Sequence, residues 1–248
     1  MMIKKYFIFL LIVCCCLQTK AQSFGEKTSI GFFGGVSKYE GSMPQTLTRG
    51  AAGINFRYEI TDKLHIRFQF TATETGGGDS SLNNAANNGN DTRSQFYYFH
   101  TNINEFSLLP EYDFFNINAG AKFTPYIFAG IGYYNFKPYQ IVENIRDNGT
   151  FRYQNVAMPK VENYSNWQMS IPLGIGIKYA ISPNVILNAE GNYRFLTNPY
   201  IDNYSADKKN DKFYTFSLGI SFRFSPIAAK ESFGTGRRKR NCNCPPVY

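Results

Sequence analysis

The chain has 248 residues, of which 18% are charged and 17% aromatic, with 23 Phe, 18 Tyr and a single Trp. A mean hydropathy of −0.32 excludes a multi-helix membrane protein, which needs several runs of ~20 apolar residues, and the aromatic content excludes a disordered chain. The formal charge of +8 admits a nucleic-acid binder until the positions of the charges are traced.

Residues 1–21 read as a signal peptide. Lys4 and Lys5 form a basic start, Tyr6 to Leu17 is an apolar run, and Thr19-Lys20-Ala21 places small residues at a cleavage site. The run is too short to span a bilayer as a helix. Cys14, Cys15 and Cys16 raise the possibility of a lipoprotein, but none follows the small residue that lipidation requires. Removal of this segment takes Lys4, Lys5 and Lys20, and the charge falls from +8 to +5. Beyond Phe224, Lys230, Arg237, Arg238, Lys239 and Arg240 outweigh Glu231 and hold +4 of that total. The span 22–224 is therefore almost neutral, which removes nucleic acid as a partner. Only Cys242 and Cys244 remain after cleavage, so the body of an exported chain cannot rest on disulfides.

Eight segments then alternate with period two, the pattern of a strand with one apolar and one polar face: 29–38, 53–60, 64–72, 102–114, 123–136, 167–179, 185–195 and 212–224. In the last, Tyr214, Phe216, Leu218, Ile220 and Phe222 oppose Thr215, Ser217, Gly219, Ser221 and Arg223. The faces of 123–136 do not separate, because aromatic residues fall at both parities. Most of these segments exceed the usual globular strand and reach the ~10 residues that cross a bilayer at a tilt.

The connections alternate too. Thr61-Asp62-Lys63, Asn116 to Gly120 and Ser182-Pro183-Asn184 are tight, whereas 39–48, 75–97, 137–165 and 197–211 are long. Long loops at one end and short turns at the other are the habit of an outer-membrane barrel, with both termini on the periplasmic, short-turn side. The stretch 76–91, rich in Gly and Asn, reads as a polar exposed loop. A soluble sandwich or barrel would show lysines on its polar face. Here that face carries Gly, Ser, Thr, Asn and charges of both signs, which suits a narrow lumen. The expected fold is all-β: an eight-stranded antiparallel transmembrane β-barrel over 22–224, followed by a periplasmic tail over 225–248.

The polar faces place Arg57, Glu59, His65, Arg67, Glu105, Glu111, Lys178, Glu190, Arg194 and Arg223 in the lumen. Eight strands leave room only for side chains, and buried charges must pair, so the barrel is expected to be plugged and non-conducting. Chemistry has few candidates. His65 and His100 are the only histidines, and a Ser-His-Glu hydrolase is weighed against His65 as one member of a polar network. No metal-ligand spacing and no phosphate loop occurs, and Gly174-Ile175-Gly176 reads as small lumen-facing residues. No catalytic residue, cofactor or metal is assigned. The basic tail, with Arg237, Arg238, Lys239, Arg240, Cys242 and Cys244, is the candidate partner-binding segment, weighed against a charge run of no consequence.

Across nearly the whole mature span the sequence resembles the PorG family, outer-membrane barrels of the type IX secretion system of Bacteroidota. The resemblance lies in Ile30-Gly31-Phe32-Phe33-Gly34-Gly35, in Phe123 to Gly132, in Ile171 to Tyr179, in Tyr193-Arg194-Phe195-Leu196-Thr197 with Tyr200-Ile201-Asp202, and in Cys244-Pro245. The first loop departs from the family, with Tyr39-Glu40-Gly41-Ser42 where an Asp is expected. The resemblance implies a non-enzymatic protein of the cell outer membrane that links the periplasmic ring of PorK and PorN to that membrane, within a machine that exports proteins and, in gliding cells, supports surface adhesins. The alternative is a small OmpA/OmpX-like surface barrel acting as an adhesin or structural protein through its extracellular loops.

Overall fold

A computed structural model describes residues 27–41, 43–79, 97–145, 151–160, 163–197, 199–203 and 210–224. The signal-peptide segment and the tail after residue 224 lie outside the described residues.

Ten antiparallel strands follow in chain order: β1 (Thr28–Glu40), β2 (Gln45–Glu59), β3 (Leu64–Asp79), β4 (Tyr97–Asp113), β5 (Phe123–Ala129), β6 (Ile131–Ile145), β7 (Phe151–Ala157), β8 (Trp167–Ser182), β9 (Val185–Leu196) and β10 (Lys212–Arg223). Each of β1–β4 pairs with the next, β8 pairs with β9 and β9 with β10, and β10 returns to β1. Both β5 and β6 fill the gap between β4 and β8. The ring is therefore closed, with no free edge between its members, and it has the eight positions that the alternation predicts.

β5 and β6 are one wall strand interrupted at Gly130. Glu111 faces Phe128 and Leu108 faces Ile131, so the register on β4 runs through the interruption without a slip. The physical reason is proline. Gly130 donates to the carbonyl of Pro172, but Pro172 has no N–H to return, and Pro110 of β4 stands beside the same point. Gly130 also lies so close to the Leu108 carbonyl that a Cβ would overlap it.

Three of the expected loops are partly strand. β2 starts at Gln45, β3 and β4 pair out to Asp79 and Tyr97, and β6 turns back as β7 inside 137–165. These extensions project past the apolar belt, so their side chains lose the alternation while the backbone ladder continues. The short turns are held locally. Thr61 Oγ1 accepts from the Leu64 N–H at 3.0 Å, and Ser182 Oγ accepts from the Val185 N–H at 3.1 Å. Between β4 and β5 a single 3₁₀ turn, Ile117–Ala119, is capped by Asn116 and ended by Gly120 at φ 98°, a left-handed conformation that glycine adopts without strain. The start of β1 and the end of β10 meet on this side, where Phe224 N–H donates to the Thr28 carbonyl.

The outward face is apolar. On β8 every second residue from Trp167 to Ile181 is large, hydrophobic and 43–68% exposed. Comparable rows run along β4, β5 and β10. A soluble monomer does not present such a continuous belt to water, whereas lipid accepts it at no cost, so this is a transmembrane β-barrel. The largest cluster of buried apolar side chains is not in the middle of the lumen. It sits at the long-loop mouth, where Tyr39, Phe99, Phe136, Tyr164, Ile201 and Phe213 pack into a cap.

Candidate functional site: the ion-paired lumen and its mouth

Period-two alternation turns the polar residues of every strand inward, and closing the ring brings them within reach of one another. Glu111 on β4 receives Arg57 Nε at 2.9 Å, Arg67 Nη1 at 3.3 Å and Lys178 Nζ at 2.5 Å. Lys178 also reaches Asp113 at 2.7 Å, and His65 Nε2 lies 3.2 Å from the same carboxylate. Glu190 on β9 takes Arg67 Nη1 at 2.5 Å and the Tyr126 hydroxyl at 2.8 Å. Higher in the lumen, Glu105 accepts from Arg194 Nε at 2.6 Å and from Ser170 Oγ at 2.5 Å, while Arg194 Nη1 donates to Thr215. Near the short turns, Glu59 pairs with Arg223 at 2.8 Å and accepts from Asn118.

All ten charged residues assigned to the lumen from sequence are thus placed there and paired. Asp113 is the one that the sequence reading passes over, although it lies two residues from Glu111 on the same face. With it, Arg57, Arg67, Lys178, Arg194 and Arg223 are matched by Glu59, Glu105, Glu111, Asp113 and Glu190. Such matching is what a low-dielectric interior requires, since one buried charge without its partner costs several kcal/mol.

The undecided strand 123–136 is settled by its neighbours. Tyr126 and Phe128 point inward, and Ile127, Ile131 and Tyr133 point to lipid. The inward rings occupy the space over Gly176 and Gly174 of β8, where any Cβ would collide with them. They also serve the cations, with Arg67 4.3 Å above Phe128 and Lys178 4.8 Å from the Tyr126 ring. The expectation that these glycines are small lumen-facing residues holds, with a specific cause.

At the mouth, Ile201, Asp202 and Asp211 are turned inward and buried. The Tyr39 hydroxyl donates to Asp202 Oδ2 at 2.9 Å and to Asp211 Oδ1 at 2.7 Å, and the Ile201 N–H donates to Asp211 Oδ2 at 2.9 Å. Burial, with the Asp202 carboxylate beside it, pushes the Asp211 carboxyl up to about 8. Phe136, Tyr164 and Tyr200 stack in sequence beside this group, and Tyr164 donates to Asn203, whose φ is 55°. Sequence reasoning had no signal for this cap, because its members come from six separate segments.

A Ser-His-Glu relay needs a hydroxyl bonded to the imidazole. Among the described residues, His65 faces Asp113, while His100 faces Glu74 and Arg49, and neither has such a hydroxyl. Arg237, Arg238, Lys239, Arg240, Cys242 and Cys244 lie outside the described residues.

Among solved structures, the chain is similar to Neisserial surface protein A (NspA), at 15% identity, covering 79% of this chain and 96% of that chain, with a TM-score of 0.49. It is similar to OprG from Pseudomonas aeruginosa, an outer membrane protein, at 12% identity, covering 81% and 97%, with a TM-score of 0.46. It is also similar to Ail, the attachment invasion locus protein of Yersinia pestis, at 15% identity, covering 79% and 97%, with a TM-score of 0.42. No curated protein matches the sequence. The family model described as a domain of unknown function, DUF6089, matches residues 4–224.

Proposed function

We propose, for a chain that belongs to the DUF6089 family, a non-enzymatic role in the outer membrane as a component of the type IX protein secretion machinery, docking the periplasmic ring proteins PorK and PorN to that membrane. The observation that carries this reading is the plugged lumen. A barrel whose interior is filled by ion pairs conducts no cargo, so its work passes to its two ends. The described chain starts and finishes at the short-turn end, and in this reading that end faces the periplasm, so that the segment following Phe224 in sequence is the one offered to the ring. That segment carries Arg237, Arg238, Lys239 and Arg240, which suit an acidic partner, and Cys242 and Cys244, which suit a disulfide to a partner in an oxidising compartment. The resemblance in the strands named above supplies the identity of the ring.

Deletion of 230–248 tests this. The truncated protein inserts normally, but no longer co-purifies with ring components after mild extraction, and export of secreted cargo fails. Co-purification and export at the full level after the deletion would remove the docking tail.

A second reading is favoured by the packed mouth. The Tyr39–Asp202–Asp211 group and its aromatic cap give the long-loop end a defined outer surface, as an adhesin or structural surface barrel requires. In that case trimming 76–91 and 140–163 abolishes surface attachment and leaves export intact.

A further inference from the structure

On β2 the register against β3 shifts between Leu47 and Ala51, so a β-bulge interrupts the ladder there. Below it, Asn55 and Arg57 face the lumen. Above it, Gln45 is within hydrogen-bond distance of Tyr98, and within it Arg49 meets residues of the outward row. Bulges re-aim side chains, and this one turns an arginine from the inside of the barrel to its outer wall.

Arg49 arrives in a built cluster. Its Nη2 lies 2.9 Å from His100 Nδ1, and its Nε lies 3.5 Å from Glu74 Oε1. The Tyr139 hydroxyl donates to the same Glu74 oxygen at 3.0 Å, and the His100 ring stacks on Tyr139 with centroids 5.3 Å apart. Lys137 lies two residues from Tyr139 on the same face of β6, is exposed, and faces Asn102 of β4. Along this row Arg49 reaches Glu74, and Lys137 follows one strand beyond Asn102, the ladder partner of Glu74, so two cations accompany one carboxylate in a net positive, donor-rich patch.

Its height on the barrel identifies what it meets. The outward rows of β3 and β4 are apolar from the Leu64–Tyr112 pair to the Phe70–Phe106 pair, then turn polar. Glu74 stands ten residues beyond Leu64. That is about 33 Å along the strand, which a tilt of ~40° converts to about 25 Å of height, the thickness of the apolar band. The stacked pair Tyr133 and Trp167, at 5.1 Å, lies just below that level, with Tyr133 opposite Phe106 and Trp167 opposite Asn135, where amphipathic rings mark the membrane–water boundary. On the opposite wall the outward face stays apolar up to Phe195 and Phe216.

We infer that Arg49, Glu74, His100 and Tyr139, with Lys137, form a binding site for the phosphorylated headgroup of an outer-leaflet glycolipid. The planar guanidinium suits a phosphate oxygen pair, Glu74 and His100 fix its direction, and Lys137 supplies a second charge. The inference rests on the membrane reading with the long loops outside the cell, and not on the secretion role.

The test uses the full mature chain in phosphatidylcholine nanodiscs doped with bisphosphorylated lipid A or with its dephosphorylated form. Retention is read by native mass spectrometry, and the environment of Trp167, the single tryptophan, by its fluorescence. Wild type retains the bisphosphorylated lipid selectively. K137Q and R49Q/K137Q weaken that retention about tenfold or more, since a bond to a charged group is worth about 1.5–3 kcal/mol. K212Q, a charge change on the opposite wall, leaves it unchanged. Equal retention of both lipids, or full retention by the double variant in a correctly folded barrel, overturns the site. Saturation by inorganic phosphate alone assigns the site to a free anion and overturns the lipid. A chain that folds in water and does not enter nanodiscs overturns the membrane reading itself.

Discussion

Arg67 on β3 and Glu190 on β9 meet at 2.5 Å across the full width of the barrel, because their strands stand on opposite walls of the eight-position ring. The guanidinium is completely buried and lies over Phe128, and its carboxylate partner also accepts from Tyr126. One interaction therefore ties three strands together, β3, β5 and β9, and it lies where a transported solute would have to pass.

Cutting this tie from one side leaves a buried charge with its partner missing. Arg67→Met or Glu190→Gln is expected to destabilise the barrel by about 3–5 kcal/mol, whereas Arg67→Met with Glu190→Met restores much of the loss, since a buried pair replaced by well-packed apolar groups is close to neutral. Urea unfolding in lipid micelles, followed by Trp167 fluorescence, measures the cycle. Single variants as stable as wild type would mean that water reaches the pair and screens it.

Closure of the lumen makes a second expectation. Reconstituted in planar bilayers, the wild-type barrel gives no ion-channel events. Arg67 and Arg194 are the largest fully buried side chains in the interior. Replacing both by Ala opens a polar path, and small, frequent conductance steps follow. Channel activity in the wild type would show that the ion pairs move aside as a gate.

Two glycines of the same residue type separate by face. A Cβ at Gly174 collides with the Phe128 ring and with the Gly191 carbonyl, whereas one at Gly34, on the lipid side of β1, meets nothing. Gly174→Ala should therefore cost about 1–3 kcal/mol through overpacking. Gly34→Ala should be neutral or stabilise by up to about 1 kcal/mol, by restricting the unfolded chain. Denaturation midpoints in micelles give both values, and a destabilised Gly34→Ala would require a protein neighbour on that wall.

These contrasts mark how far the sequence could be read. The inward charges were legible because alternation needs only the strand itself: Arg57, Arg67, Glu190 and Arg194 sit where period two puts them. Tyr126 and Phe128 were not, since an aromatic ring faces inward only where a neighbouring strand supplies the space, and Gly174 and Gly176 lie some fifty residues away in the chain. The outward turn of Arg49 was illegible for a related reason. A bulge is a mismatch between two strands, and the alternation within either strand does not reveal it. The mouth was hidden most fully, because Tyr39, Asp202 and Asp211 come together only after the ring has closed.

That last group responds to pH. Asp211 lies just before β10, outside the membrane-spanning strands, and its carboxyl is raised from the ordinary 3.8 to about 8 by burial and by the Asp202 carboxylate. The folded mouth therefore binds a proton that the opened mouth releases. Below about pH 4 both forms hold the proton. As pH rises from there to about 8, the opened form is favoured progressively, and above 8 the loss is complete. Hydrogen exchange at the Ile201 amide, which donates to Asp211, should be slowest at about pH 4 and below, and faster at pH 9, once the intrinsic rate is divided out. Asp211→Asn, which carries no charge to release, should flatten that dependence while the strands stay protected. A wild-type profile with no slope between pH 4 and 8 would mean that the carboxyl titrates in the ordinary range and that the Tyr39 hydroxyl bridges two ionised carboxylates.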